Sequence, residues 1–368
     1  MALSKRQHRL LEEIQLNCDI SDAKDHGIYS MCSMVLKLRN LYKWEQDIQP
    51  WSEPEAADLL DWIEAKENYW VTIAERSFSP LTGQHQKISP ENLEEVNNEL
   101  GTNGLLYGAG YGRSLKAVFF VAERLEQGSI EGCPISILGK ECAREMASPF
   151  AMVQDGVIII RKDPLRFFLW DQIQELGSSC RSAFRHALAF YGLISDGTLD
   201  QQLLKSSLDK IVDDQMNLFI YHEVGEILQQ TFDTATFQAI LSRFPSSILE
   251  FVCRAIKDIL ADTHPRGLLA YILREQRESS LSFYIGFLDG LRKKLFPEIF
   301  ESWQLFLENK DWQQIELARH TCWEKNIEFA EKIMHISQMF ETHHDKQILS
   351  EFNKQILMPL DLELPKES

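Results

Sequence analysis

One helical stretch constrains this chain more than any other, because it aims acids at the face that should be buried. Val212–Thr231 reads as part of a single helix, and a helix turns about 100° per residue. On that wheel Val212, Met216, Phe219, Ile220 and Ile227 share one face, with Glu223 in its middle. His222 and Glu226 are neighbours at i,i+4 on the shoulder of that face, and Glu223 and Glu226 are neighbours at i,i+3. An imidazole and two carboxylates therefore point toward the interior or its rim. A carboxylate buried alone is costly, so Glu223 must be met by an arginine, a metal ion, or a proton taken up through a raised pKa.

Two arrangements satisfy that requirement. In the first, acids pair with bases: Glu223 with Arg319 or Arg292, and the N-terminal acids with Arg39 or another base. In the second, His222, Glu223 and Glu226 hold iron, manganese or zinc, with Glu67, Glu45 or His186 completing the shell. Glu67 enters because it falls between Ile63 and Leu60 on its own helix, and Glu45 because it falls among Leu41, Leu38 and Met34. The metal pattern is incomplete. Glu226 stands where the second histidine of His-Glu-x-x-His would be, and the Glu-x-x-His spacing of carboxylate-rich bundles is missing from these helices. The ion-pair arrangement is the favoured one.

A second unusual stretch is Tyr107-Gly108-Ala109-Gly110-Tyr111-Gly112-Arg113. A dinucleotide fingerprint needs a strand before the glycines and a helix after them, whereas here a helix precedes and a strand follows. No P-loop Lys-Ser/Thr pair follows either. The glycines are expected to form a loop, either purely structural or binding a small anionic ligand through Gly108, Gly110, Gly112 and Arg113.

The chain has 368 residues, enough for one large core or two, so no disulfide or structural zinc is needed for stability. Acids outnumber bases by 55 to 38, a net charge of −17, which argues against nucleic-acid and anionic-membrane partners. Seven cysteines without C-x-x-C spacing read as reduced thiols. The first residues lack the apolar core of a signal peptide, and no apolar run could span a bilayer. A cytoplasmic location is expected.

Periodicity predicts a mainly α protein: a helical bundle with a small antiparallel β-sheet inserted mid-chain. The expected parts are an N-terminal helical region (1–101), a β-rich segment with the glycine loop (102–163), a C-terminal helical bundle (164–358) and a tail (359–368). Within the β segment, Lys116–Glu123, Pro134–Leu138 and Val157–Arg161 read as strands, Asp155-Gly156 as a turn, and Lys140–Ala147 as a short inserted helix. Ser89-Pro90-Glu91-Asn92 reads as a helix start capped by Ser89.

Leu38–Glu45, Tyr107–Arg113, His222–Glu226 and Phe287–Arg292 together resemble an uncharacterised family of bacterial proteins of unknown function, over nearly the whole chain. The resemblance implies a bacterial, cytosolic origin and assigns no activity. Two functional classes remain: a non-catalytic binding or regulatory protein with a structural polar interior, which is favoured, and a metal-dependent oxidase or hydrolase using the His/Glu cluster.

Overall fold

Ser4 starts the first helix, its hydroxyl accepting from the Gln7 amide while the Gln7 side chain accepts from the Ser4 amide. The computed structural model describes residues 4–101, 104–112, 115–174, 181–245, 247–288 and 290–362, with the side chains of all of these but Arg181 and Thr234. The chain divides into two compact units, Met1–Glu175 with Leu208–Val212, and Leu176–Ser207 with Asp213–Ser368. Regions 1–101 and 102–163 thus lie in one unit.

In the first unit, α1 (Lys5–Asp25) is followed by α2 (Met31–Glu45) and α3 (Ala56–Ile73), then the two-stranded pair β1 (Leu81–Thr82) and β2 (Lys87–Ile88). The next helix, α4 (Leu93–Leu100), starts later than the sequence suggests, capped by Asn92 rather than Ser89. The chain then builds β3 (Leu105–Tyr111), β4 (Ala117–Ile130), β5 (Cys133–Arg144), β6 (Ala151–Gln154) and β7 (Val157–Arg161), and closes with α5 (Lys162–Gln174).

The fold is mainly helical, but its sheet is larger and of a different kind from the small antiparallel one expected. Five strands run in the order β3-β4-β5-β7-β6, and β5 pairs with β7 in parallel while the other pairs are antiparallel. The sheet curls until its edges meet, where the Gln154 side chain accepts from the Ala109 amide at 3.1 Å. Alternation on β4 shows why its run is apolar on both faces. Val118, Phe120 and Ala122 join Leu106, Leu138 and Ile159 in one cluster, while Ala117, Phe119 and Val121 pack with Leu10, Ile14 and Cys18 of α1.

Two local expectations are corrected by this pairing. Lys140–Ala147 is no helix: Glu141 and Ala143 are buried while Lys140 and Cys142 are exposed, the period-two pattern of the end of β5. The glycine stretch is no loop either. Gly108 pairs with Phe120 and Gly110 with Val118 in the β3–β4 ladder. A Cβ on Gly108 would stand 2.0 Å from Phe120 Cζ, so only glycine lets that ring lie across the strand. The turn expected at Asp155-Gly156 is present, with φ of 49° and 75° joining β6 to β7.

The wheel test does not reach strands, and so missed the charges buried here. Arg161, fully buried, stacks its guanidinium 4.1 Å from the Phe120 ring centroid and donates to Glu141 at 2.6 Å. Arg144 lies 3.5 Å from the same carboxylate, and Lys116 pairs with Asp22 at 2.9 Å. Of the N-terminal acids that the wheel flagged, Glu45 finds a base. Glu45 and Asp19 share Lys66, at 2.6 and 3.4 Å, and Arg39 is taken by Asp171 at 2.7 Å.

The second unit holds α6 (Arg181–Ala189), the hairpin β8 (Ile194–Ser195) and β9 (Thr198–Leu199), and the ends of α7 (Gln201–Leu228). After these come α8 (Thr234–Arg243), α9 (Ile248–Thr263), α10 (Leu268–Arg274), α11 (Glu278–Phe287), α12 (Gly290–Leu295), α13 (Glu298–Asn309), α14 (Trp312–Ser337) and α15 (Asp345–Phe352). Of the expected tail, Met358–Leu360 forms a 3₁₀ turn and 363–368 lie outside the described residues.

Gly108→Ala is expected to lower stability by about 2–3 kcal/mol through overpacking against Phe120. Gly110→Ala, whose Cβ would meet nothing nearer than Met152 Cε at 3.9 Å, should stay within about 1 kcal/mol. Urea unfolding of both variants decides, and equal losses would refute the close approach at position 108.

Candidate metal centre

The HEVGE stretch of α7 crosses α9 at its glycine. A Cβ on Gly225 would lie 2.1 Å from the Ala261 carbonyl oxygen, so the two backbones meet there in a contact no side chain would permit. The crossing sets His222, one turn before Gly225, opposite Asp262, and Glu226 opposite Lys257.

His222 Nδ1 lies 2.7 Å from Asp262 Oδ1, and Asp262 is 1% exposed. This fixes the ring and turns Nε2 the other way, to 3.9 Å from Glu226 Oε1. Asp258, one turn before Asp262, completes the group. A nitrogen of His222 and one carboxylate oxygen each from Glu226 and Asp258 lie within 4.8 Å of one another, all three side chains half-buried.

Electrostatics bind the group together. Burial opposes a charge on His222, but Asp262 overrides it, helped by Glu223 and Glu226, and the imidazole pKa is pushed up to about 10. Burial also raises Asp258 to about 6, His222 opposing and Glu226 reinforcing the rise. Glu226 moves the other way: burial is outweighed by Lys257, whose ammonium sits 3.0 Å from Oε2, and by His222, so its pKa falls.

Glu223 is buried as the wheel requires, but no arginine meets it. Arg319 donates to Glu316 and to the Thr263 carbonyl, and Arg292 donates to the Phe287 carbonyl. Among the described residues no base lies within ion-pair distance of Glu223. Burial pushes its pKa up to about 7, with Glu226 and Asp258 adding to the rise and His222 and Lys257 resisting it. Of the three answers open to a buried acid, the arginine is absent among the described residues, and burial with two acidic neighbours favours uptake of a proton.

The other candidates fall elsewhere. Glu67 is exposed on α3 of the first unit, because the rim of that helix rather than its packed face carries it. Glu45 is engaged by Lys66, and His186 by Glu278 and Ser282. Gly108 and Gly110 are strand residues, Gly112 donates its amide to the Lys116 carbonyl at 2.8 Å, and Arg113 lies outside the described residues. The sequence reading overlooked Asp258 and Asp262. A signal was available for Asp262, which shares a wheel face with the buried Ala255 and Ile259 of α9.

One nitrogen and two carboxylates suit iron, manganese or zinc. Ligands bound to such an ion stand about 3–3.5 Å apart, so these side chains would close by roughly 1 Å. The Asp262–His222 hydrogen bond is the outer-shell contact that metal-bound histidines use.

Family models for the N-terminal and C-terminal domains of a family of unknown function, DUF6866, match residues 9–161 and 166–355. No curated protein and no solved structure matches the chain.

In metal-free protein held in chelator, Glu223 imposes a pH slope. Its folded pKa, about 7, lies above the unfolded value of 4.5. The stability it adds is therefore complete below pH 4.5 and lost as pH rises through 7. Glu223→Gln removes that loss, so unfolding at pH 8 relative to pH 5 should favour the variant by about 2–3 kcal/mol. A variant that weakens the fold equally at both pH values would mean that a fixed positive charge meets Glu223 after all.

Proposed function

We propose that this chain, which belongs to the family of unknown function DUF6866, binds one divalent transition-metal ion at His222, Glu226 and Asp258. The observation that carries the reading is the pairing of a convergent donor set with Asp262, which holds the imidazole from behind. Iron, manganese and zinc are the ions of choice for such donors. The role is that of a metal-binding or metal-regulated protein. The free buried thiols Cys18, Cys253 and Cys322 support a cytoplasmic setting, and the charge of −17 supports partners other than nucleic acid. No helix among the described residues is long and apolar enough to cross a membrane.

Glu223 favours a second reading, metal-dependent hydrolysis. Three protein ligands would leave room for a bound water, and the buried Glu223 carboxylate, next to His222 in the chain, would be placed to take its proton.

Manganese or zinc titrated into chelator-treated protein should bind at a ratio of one. His222→Ala and Asp258→Asn should abolish binding, and Asp262→Asn should weaken it by about 10–100-fold without unfolding the chain. Undiminished stoichiometric binding in the His222→Ala variant would remove the reading. Metal-dependent cleavage of a nitrophenyl ester, lost in Glu223→Gln while metal is retained, selects the hydrolytic role; metal binding without such cleavage selects the other.

A further inference from the structure

The first unit contains a half-open pocket of about 240 Å³, lined by α2, the turn after β5 and α5. At about 30 Å³ per water it has room for roughly eight to ten non-hydrogen atoms. Its walls are apolar in part: the rings of Phe150 and Phe168 lie 4.5 Å apart, centroid to centroid, and both face it.

The charges lining it do not balance. Asp171 is the one acid on the wall, and it is fully engaged, by Arg39 at 2.7 Å and by Asn40 at 2.7 Å. Lys37 donates to the Ala147 carbonyl at 3.2 Å and lies 5.1 Å from the Tyr29 ring centroid, and no carboxylate among the described residues lies within ion-pair distance of it. Burial draws its pKa down against the more distant pull of Glu145 and Asp22. Arg144, 2% exposed, leaves Nε and Nη1 without hydrogen-bond acceptors, and its nearest carboxylate, Glu141, is held more tightly by Arg161. The wall itself thus presents two cations and one engaged acid, a lining that suits an anion.

We propose that this cavity binds a small organic carboxylate, its anionic end on the Lys37 ammonium in the field of Arg144, and its apolar body against Phe150 and Phe168. The ammonium supplies the affinity for charge, and the aromatic walls favour a ligand with an apolar body over a bare inorganic anion. The site is separate from the metal cluster and rests on none of its residues.

Calorimetric titration of the full chain with phenylacetate tests the assignment, with 2-phenylethanol, phenethylamine and inorganic phosphate as comparators. Phenylacetate should saturate one site at millimolar concentration or below, and each comparator should bind at least about ten-fold more weakly. Lys37→Met should weaken phenylacetate by about ten-fold or more in a chain that remains folded. Ser33→Trp, which fills the cavity from its rim, should abolish binding and carries the test should Lys37→Met not fold. Failure of phenylacetate to saturate, phosphate binding as tightly, or binding unchanged in either variant overturns the proposal.

Discussion

A charge taken out of water has to be answered, and both units are arranged around that requirement. In the first, Arg161 lies fully buried on the curled sheet and is answered by Glu141 beneath the Phe120 ring. In the second, Asp262 is answered by His222 at a helix crossing. Such pairs add little net stability over apolar side chains of the same volume. What they add is specificity. A one-residue slip of β7 against β5 would turn Arg161 to the opposite face and strand Glu141, so the parallel register is fixed by charge as well as by shape.

Two glycines set the distances at which these answers become possible. Gly108 allows Phe120 to lie across β3, and that ring is the platform for the Arg161 guanidinium. Gly225 allows α7 to touch the α9 backbone at Ala261, so that residue 222 reaches residue 262. Neither has the positive φ that commonly explains a retained glycine. Each is there because a neighbour occupies the space of its Cβ.

The two sites differ in how their charge stands in the free protein. At the metal cluster three acids surround an imidazole held protonated by Asp262, with Lys257 on Glu226, so protons and an ammonium occupy the field an ion would take over. Lys37 is answered more loosely, by the Ala147 carbonyl, the Tyr29 ring and the field of Glu145 and Asp22.

Much was legible in the sequence alone. The helical period placed α7 and its neighbours, the wheel put Glu223 inside, and the i,i+4 spacing brought His222 beside Glu226, since these depend only on local geometry. The glycine stretch misled because its cause, the Phe120 ring, is on another strand, and Lys140–Ala147 misled because pairing with β4 overrode its helical propensity. Asp258 and Asp262 join α7 only through a crossing between segments some forty positions apart. On α7 the sequence by itself determined that Glu223 is buried, because that follows from a fixed turn per residue, whereas on α3 the same rule misplaced Glu67. Only the tertiary structure decided what those side chains meet, because a partner for a buried charge is chosen by where separate backbones can approach.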